Sequence, residues 1–187
     1  MKPIALLAPG LAALLALASI AREARAQAAP PQAAGQVMGQ ARYVPPEGDF
    51  SVVFPATPNV QTRPAERSKD IGLRRYTVNG AANAFVVAID AYPPDILPQS
   101  PNGGVYDHLL RTYAEDGDTR LISTRPARLA GLPCLEGTYA DKNDNGEIVR
   151  VLVVGDVIWK LTYAYAADVT GRDAADAFFA SFQITPH

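Results

Sequence analysis

Cysteine is almost missing from this chain. Cys134 is the one thiol in 187 residues, so no internal disulfide can form. Two histidines and one tryptophan accompany it, a thin supply of side chains for nucleophilic or transition-metal chemistry. No zinc-ligand spacing, phosphate loop or Gly-x-Ser-x-Gly elbow surrounds Ser51, Ser68, Ser100, Ser123 or Ser181. His108 adjoins Asp107, but neighbours on a helix point ~100° apart and form no dyad. Cys134 has no sequence reason to meet His108 or His187, so it is expected to be an inert, partly buried thiol. No catalytic residue, cofactor or metal ligand is assigned. A stripe of basic residues interleaved with aromatics is also missing, which excludes the usual nucleic-acid footprint. After residue 26 nothing approaches the ~18 uninterrupted apolar residues of a membrane-spanning helix, and no cysteine there could carry a lipid.

What is present begins with an export signal. Met1-Lys2 opens positively, Ile4 to Ile20 is apolar apart from Pro9-Gly10 and Ser19, and Ala24-Arg25-Ala26 supplies small residues for signal peptidase. Cleavage after Ala26, or after Ala28, predicts a periplasmic or extracellular protein. Cleavage at Ala26 leaves 161 of the 187 residues. A chain of that size buries about 70% of its unfolded surface, enough for one core without staples. Removing Lys2, Arg22, Arg25 and Glu23 from the 17 basic and 19 acidic residues leaves 14 and 18, a net charge of −4. Residues 27–42 are Ala, Gln, Pro and Gly with little to bury, and predict a flexible leader. Residues 43–187 are then a single domain, expected to be a monomer.

Within that domain Phe50, Val52 and Phe54 alternate with Ser51 and Val53 as a strand does. Residues 61–75 predict a polar loop holding the most basic run, Arg63, Arg67, Lys69, Arg74 and Arg75. Arg74 and Arg75 are candidate contacts to an anionic partner. Gly72–Asn79 and Asn83–Tyr92 predict two strands, the second apolar on both faces and therefore central. Val105, Tyr106, Leu109, Leu110 and Tyr113 share a helical stripe that Gly117 stops. Residues 120–128 predict short extended runs broken by Pro126. Leu132 to Tyr165 predicts a three-stranded meander, with turns at Asn145-Gly146 and Gly155-Asp156. Thr170 to Asp173 fits a capping box, followed by a helix with Ala174, Ala177, Phe178, Ser181 and Phe182 on its buried face. The sum is an α+β fold: about seven antiparallel strands packed by a mid-chain helix and a C-terminal helix.

Two features of the meander invite sharper readings. Asp141 to Gly146 copies the first half of an EF-hand loop, but the twelfth position is Leu152 and strands flank it, which predicts a polar hairpin turn. Trp159, Leu161, Tyr163 and Tyr165 share one face of the last strand. They predict a core stripe under the C-terminal helix, unless Tyr163 and Tyr165 emerge beyond it as partner contacts.

The run Phe50-Ser51-Val52-Val53-Phe54-Pro55 with Pro58, the mid-chain helix, the meander with Trp159 and the closing Ala177 to Ile184 resemble the PsbP-like superfamily. Many of its members are small secreted bacterial proteins. The resemblance spans Asp49 to Ile184 and implies an α/β/α sandwich. Members include an extrinsic photosystem subunit, a factor that binds a small nuclear GTPase and bacterial envelope proteins, so it implies docking rather than catalysis. No functional residue carries over, because the matching positions are core residues, caps and turns. The expected function is therefore noncatalytic protein binding in the envelope, docking onto a partner protein or stabilising a complex. A small-ligand or lipid-binding module using a sheet–helix cleft is the alternative, and a hydrolase with converging carboxylates a remote one.

Overall fold

Period-two alternation in the strands sends one set of side chains to each side of a seven-stranded antiparallel sheet. The computed structural model describes residues 42–65, 70–98, 103–167, 169 and 171–185. The expected signal peptide, the leader up to residue 41, Arg67, Lys69, Thr170 and His187 lie outside them. The strands of the sheet are β3 (Asn59–Arg63), β4 (Gly72–Asn79), β5 (Asn83–Ala91), β6 (Arg120–Leu129), β7 (Leu132–Ala140), β8 (Gly146–Val154) and β9 (Val157–Tyr165), in the order β3-β4-β5-β9-β8-β7-β6. Helix α1 (Gly103–Gly117) packs on β6, β7 and β8. Helix α2 (Arg172–Ser181) covers the opposite face with a small sheet of β1 (Arg42–Tyr43), β2 (Phe50–Val53) and β10 (Gln183–Ile184). This is the expected α+β sandwich, and among the described residues no helix is long and apolar enough to cross a membrane.

The meander is β7, β8 and β9, closed by turns at the expected places. Gly155 takes the positive φ of the second turn. In the first turn it is Asp144, not the Asn145-Gly146 pair, that does so, with φ 59°. Asp141 organises that turn: its carboxylate accepts from the Asn143 and Asn145 amides at 2.8 and 3.0 Å and from Asn145 Nδ2 at 2.9 Å. Gly146 serves packing instead. A Cβ there would sit 2.1 Å from Tyr165 Cζ, and one at Gly171 would sit 2.7 Å from Tyr165 Cδ1, so the two glycines admit the Tyr165 ring between them.

Other expectations need correction. β2 is not in the large sheet, which reaches seven strands through β3, an edge strand where a loop was predicted. β3 is exposed at every residue and so gives no apolar signal. Residues 120–129 form one strand; Pro126 is accepted because β6 is the other edge, and a bulge falls between Leu121 and Ser123. Helix α1 does end at Gly117, as expected; the left-handed residue after it is Asp118, with the Thr119 amide bonding back to the Ala114 carbonyl at 3.1 Å. Helix α2 starts from Gly171 with no side-chain cap among the described residues, the expected capping box resting on Thr170 outside them, and it buries Ala175, Phe178 and Phe179 while Ala174 and Ala177 are exposed.

The α2 face holds the main core: Phe50, Tyr76, Val87, Ile89, Trp159, Leu161, Tyr163, Phe178, Phe179 and Phe182. Trp159 meets Phe50 and Phe182 edge-on, ring centres 5.9 and 5.6 Å apart, which locks β2 and the end of α2 onto β9. Each such side chain, fully buried, contributes about 1.5–3 kcal/mol. The α1 face is a second core of Leu110, Ala114, Tyr139, Val149, Val151, Val153 and Ile158. The same face also carries Arg75 of β4, Asp90 of β5 and Lys160 of β9.

Candidate functional site

Arg74 and Arg75 do not share a surface, because neighbouring strand residues point to opposite faces. Arg74 lies on the α2 face. It donates to Asp49 through both terminal nitrogens and pairs with Glu47 Oε2 at 3.5 Å. Arg75 lies on the α1 face, where its Nε is buried without a hydrogen-bond partner among the described residues. Tyr163 is only 1% exposed, inside the α2-side core, and so cannot meet a partner. Tyr165 stacks on it at 5.8 Å and is half-buried. Cys134 is buried too, and burial, reinforced by Glu136 against the pull of Arg150, pushes its thiol up to about 11.

Two charged constellations emerge that the sequence does not single out. The first lies on the α1 face of the sheet. Lys160 Nζ lies 2.6 Å from Asp90 Oδ2, and Tyr113 donates to Glu147 Oε2 at 2.9 Å. Burial, then the Glu147 charge, hold the Tyr113 hydroxyl well above its ordinary range. Arg75 faces Tyr113, Asp90 and Glu147, yet desolvation outweighs them and lowers its pKa. Two cations and two carboxylates thus neutralise one another in a largely buried row. The signal for it in the sequence is a single charge inside each of two apolar strands, Asp90 in Phe85–Ala91 and Lys160 in Val157–Tyr165.

The second constellation lies on the other face, at the β6 edge. Glu136 is 1% exposed, and three guanidiniums converge on its carboxylate: Arg125 Nε at 2.7 Å, Arg150 Nε at 2.8 Å and Arg172 Nη1 at 2.6 Å. Asp176 accepts from Arg150 Nη2 at 3.1 Å and from Arg172 Nε at 2.9 Å. Arg150 also sits over the Phe179 ring, 4.5 Å from its centre. Its Nη1 reaches the Arg128 carbonyl at 3.1 Å, and Arg128 in turn donates to the Gly131 carbonyl at 2.7 Å. β6 itself, Arg-Leu-Ile-Ser-Thr-Arg-Pro-Ala-Arg-Leu, has three arginines and no carboxylate. A basic run of three is a weaker pattern than the five at 63–75, but those five are diluted by Glu66 and Asp70. Among the described residues, no three or more His, Cys, Asp or Glu side chains gather as metal ligands.

No family model matches the chain, and no curated protein matches it. Solved structures do. A cyanobacterial PsbP, CyanoP from Synechocystis sp. PCC 6803, superposes with a TM-score of 0.56 at 14% identity, over 84% of this chain and all of that one. The chain therefore has the PsbP-like fold. A Bacteroides thetaiotaomicron protein aligns with a TM-score of 0.48 at 10% identity, over 80% of this chain and 50% of that one.

Proposed function

We propose that this chain is a noncatalytic protein of the periplasm or cell exterior that docks onto an envelope partner or stabilises a complex. The observation that carries the reading is the β6 edge, where arginines already held in place by a buried carboxylate face solvent. Ordering long side chains at an interface costs about 0.5–1.5 kcal/mol each, and here that cost is met within the folded chain. The PsbP-like fold and the Ala24-Arg25-Ala26 signal support the reading from two other directions. Crosslinking in intact cells tests it. A specific envelope protein should be captured with a chain that lacks residues 1–26, and capture of nothing specific overturns it.

A second reading, a small-ligand module, has the buried and unpartnered Arg75 Nε in its favour. An acceptor atom of a ligand bound beside Arg75 would satisfy it. Native mass spectrometry of the purified protein decides: a bound small molecule lost in Arg75→Met supports this reading, and a bare polypeptide mass sinks it.

A further inference from the structure

The two edges of the seven-stranded sheet are built differently. β6 is closed to further pairing: Pro126 offers no amide, a bulge falls between Leu121 and Ser123, and three arginines lie along the strand. β3, Asn-Val-Gln-Thr-Arg, has no proline, no glycine and a single charge, Arg63. It pairs with β4 at all five positions without a bulge, and all five residues are exposed. Among the described residues no strand pairs with its outer side. Val60, opposite Tyr76 on the α2 face, is 49% exposed.

We propose that a second copy of this chain pairs with β3, antiparallel and two-fold about Gln61, so that two sheets join edge to edge. The strand's own sequence sets the register. Pro58 and Pro64 bound it, and only with Gln61 opposite Gln61 do all five residues find a partner. Val60 of each copy then meets Thr62 of the other, a β-branched pair on the α2 face that covers the exposed valine. Arg63 meets Asn59, so no like charges stand opposite each other. The two Arg63 residues are about 14 Å apart along the strands, beyond the ~8 Å screening length at physiological salt. Five paired residues make a small interface, of the kind that belongs to a weak and reversible dimer. This surface is separate from β6, and its failure would leave the docking reading untouched.

Sedimentation of the mature chain up to submillimolar concentration tests the dimer. The average mass of wild type should rise with concentration. Gln61→Lys sets two ammoniums opposite each other and should weaken association by about tenfold or more, whereas Thr124→Lys, the same change of charge on β6, should associate as wild type does. Cysteine cross-linking tests the register. Opposite pairs alternate between wide and close spacing, so either Gln61→Cys alone or a mixture of Val60→Cys with Thr62→Cys brings two thiols within disulfide range. One of the two should form a linked dimer about tenfold or more faster than Thr124→Cys under the same oxidant; buried Cys134 is common to all. A wild type that stays monomeric, a Gln61→Lys variant that dimerises normally, or cross-linking no faster than at Thr124 would overturn the proposal. So would a dimer seen only in a chain starting at Arg42, which would give the edge to residues 27–41. Circular dichroism on each variant confirms that the fold is kept.

Discussion

Lys160 Nζ and Asp90 Oδ2, 2.6 Å apart on neighbouring strands β9 and β5, form an ion pair that solvent barely reaches. Two desolvated charges compensate each other only while both are there. Lys160→Met alone should therefore cost about 3–5 kcal/mol, because it strands the Asp90 carboxylate. Adding Asp90→Leu should recover part of that loss. The recovery should be incomplete, since Asp90 also offsets the positive charge of Arg75. Urea denaturation of the two singles and the double measures this. A double variant less stable than both singles would contradict the picture of a self-contained pair.

Gly146 and Gly171 hold the Tyr165 ring between them, and the clash distances predict a directional coupling. Gly146→Ala should destabilise the fold by about 1–3 kcal/mol, the usual cost of overpacking. In a Tyr165→Ala background the same change should cost less, because the ring it collides with is gone. A double-mutant cycle in denaturant reads the difference. Additive losses would mean that the ring swings clear at little cost.

These contacts show which parts of the molecule local pattern can reveal. The three meander strands were legible because Val, Ile, Tyr and Trp runs are separated by turn residues at hairpin spacing, and Gly155 behaves as its position requires. The central place of β5 followed from its two apolar faces. The sheet that β2 joins was not legible: alternation of Phe50, Val52 and Phe54 gives a buried face but no address. The phase of α2 was missed by one residue because alanines lie on every side of that helix, so the stripe is ambiguous until Phe178 and Phe179 meet the sheet. The candidate site was the least legible part. Glu136 and Arg172 are separated by 36 residues, and only the topology brings them together. Arg74 and Arg75, adjacent in sequence, are parted by the strand pleat.

Cys134 should react slowly. Burial raises its thiol pKa to about 11, so near neutral pH its thiolate fraction should be about a hundredfold below that of an ordinary exposed cysteine. Labelling with a chromogenic disulfide at about pH 8 should be at least that much slower in the folded protein than in urea. Equal rates in the two states would show that the start of β7 opens readily to solvent.

The buried tyrosines set an alkaline limit. Burial raises the hydroxyls of Tyr76 and Tyr92 to about 12, with acidic neighbours adding to the rise and, at Tyr76, Arg74 opposing it. Tyr113 and Tyr139 are pushed higher still, first by burial and then by Glu147. Below a pH of about 10 folded and unfolded chains both keep these protons, and the full contribution to stability is present. Between about 10 and 12 the unfolded chain ionises while the folded chain cannot, so stability should fall steadily with rising pH. Tyrosinate absorbance from Tyr76, Tyr92, Tyr113 and Tyr139 should therefore appear together with loss of the far-ultraviolet circular dichroism signal. Titration of these four while the fold persists would mean that their sites are open to water.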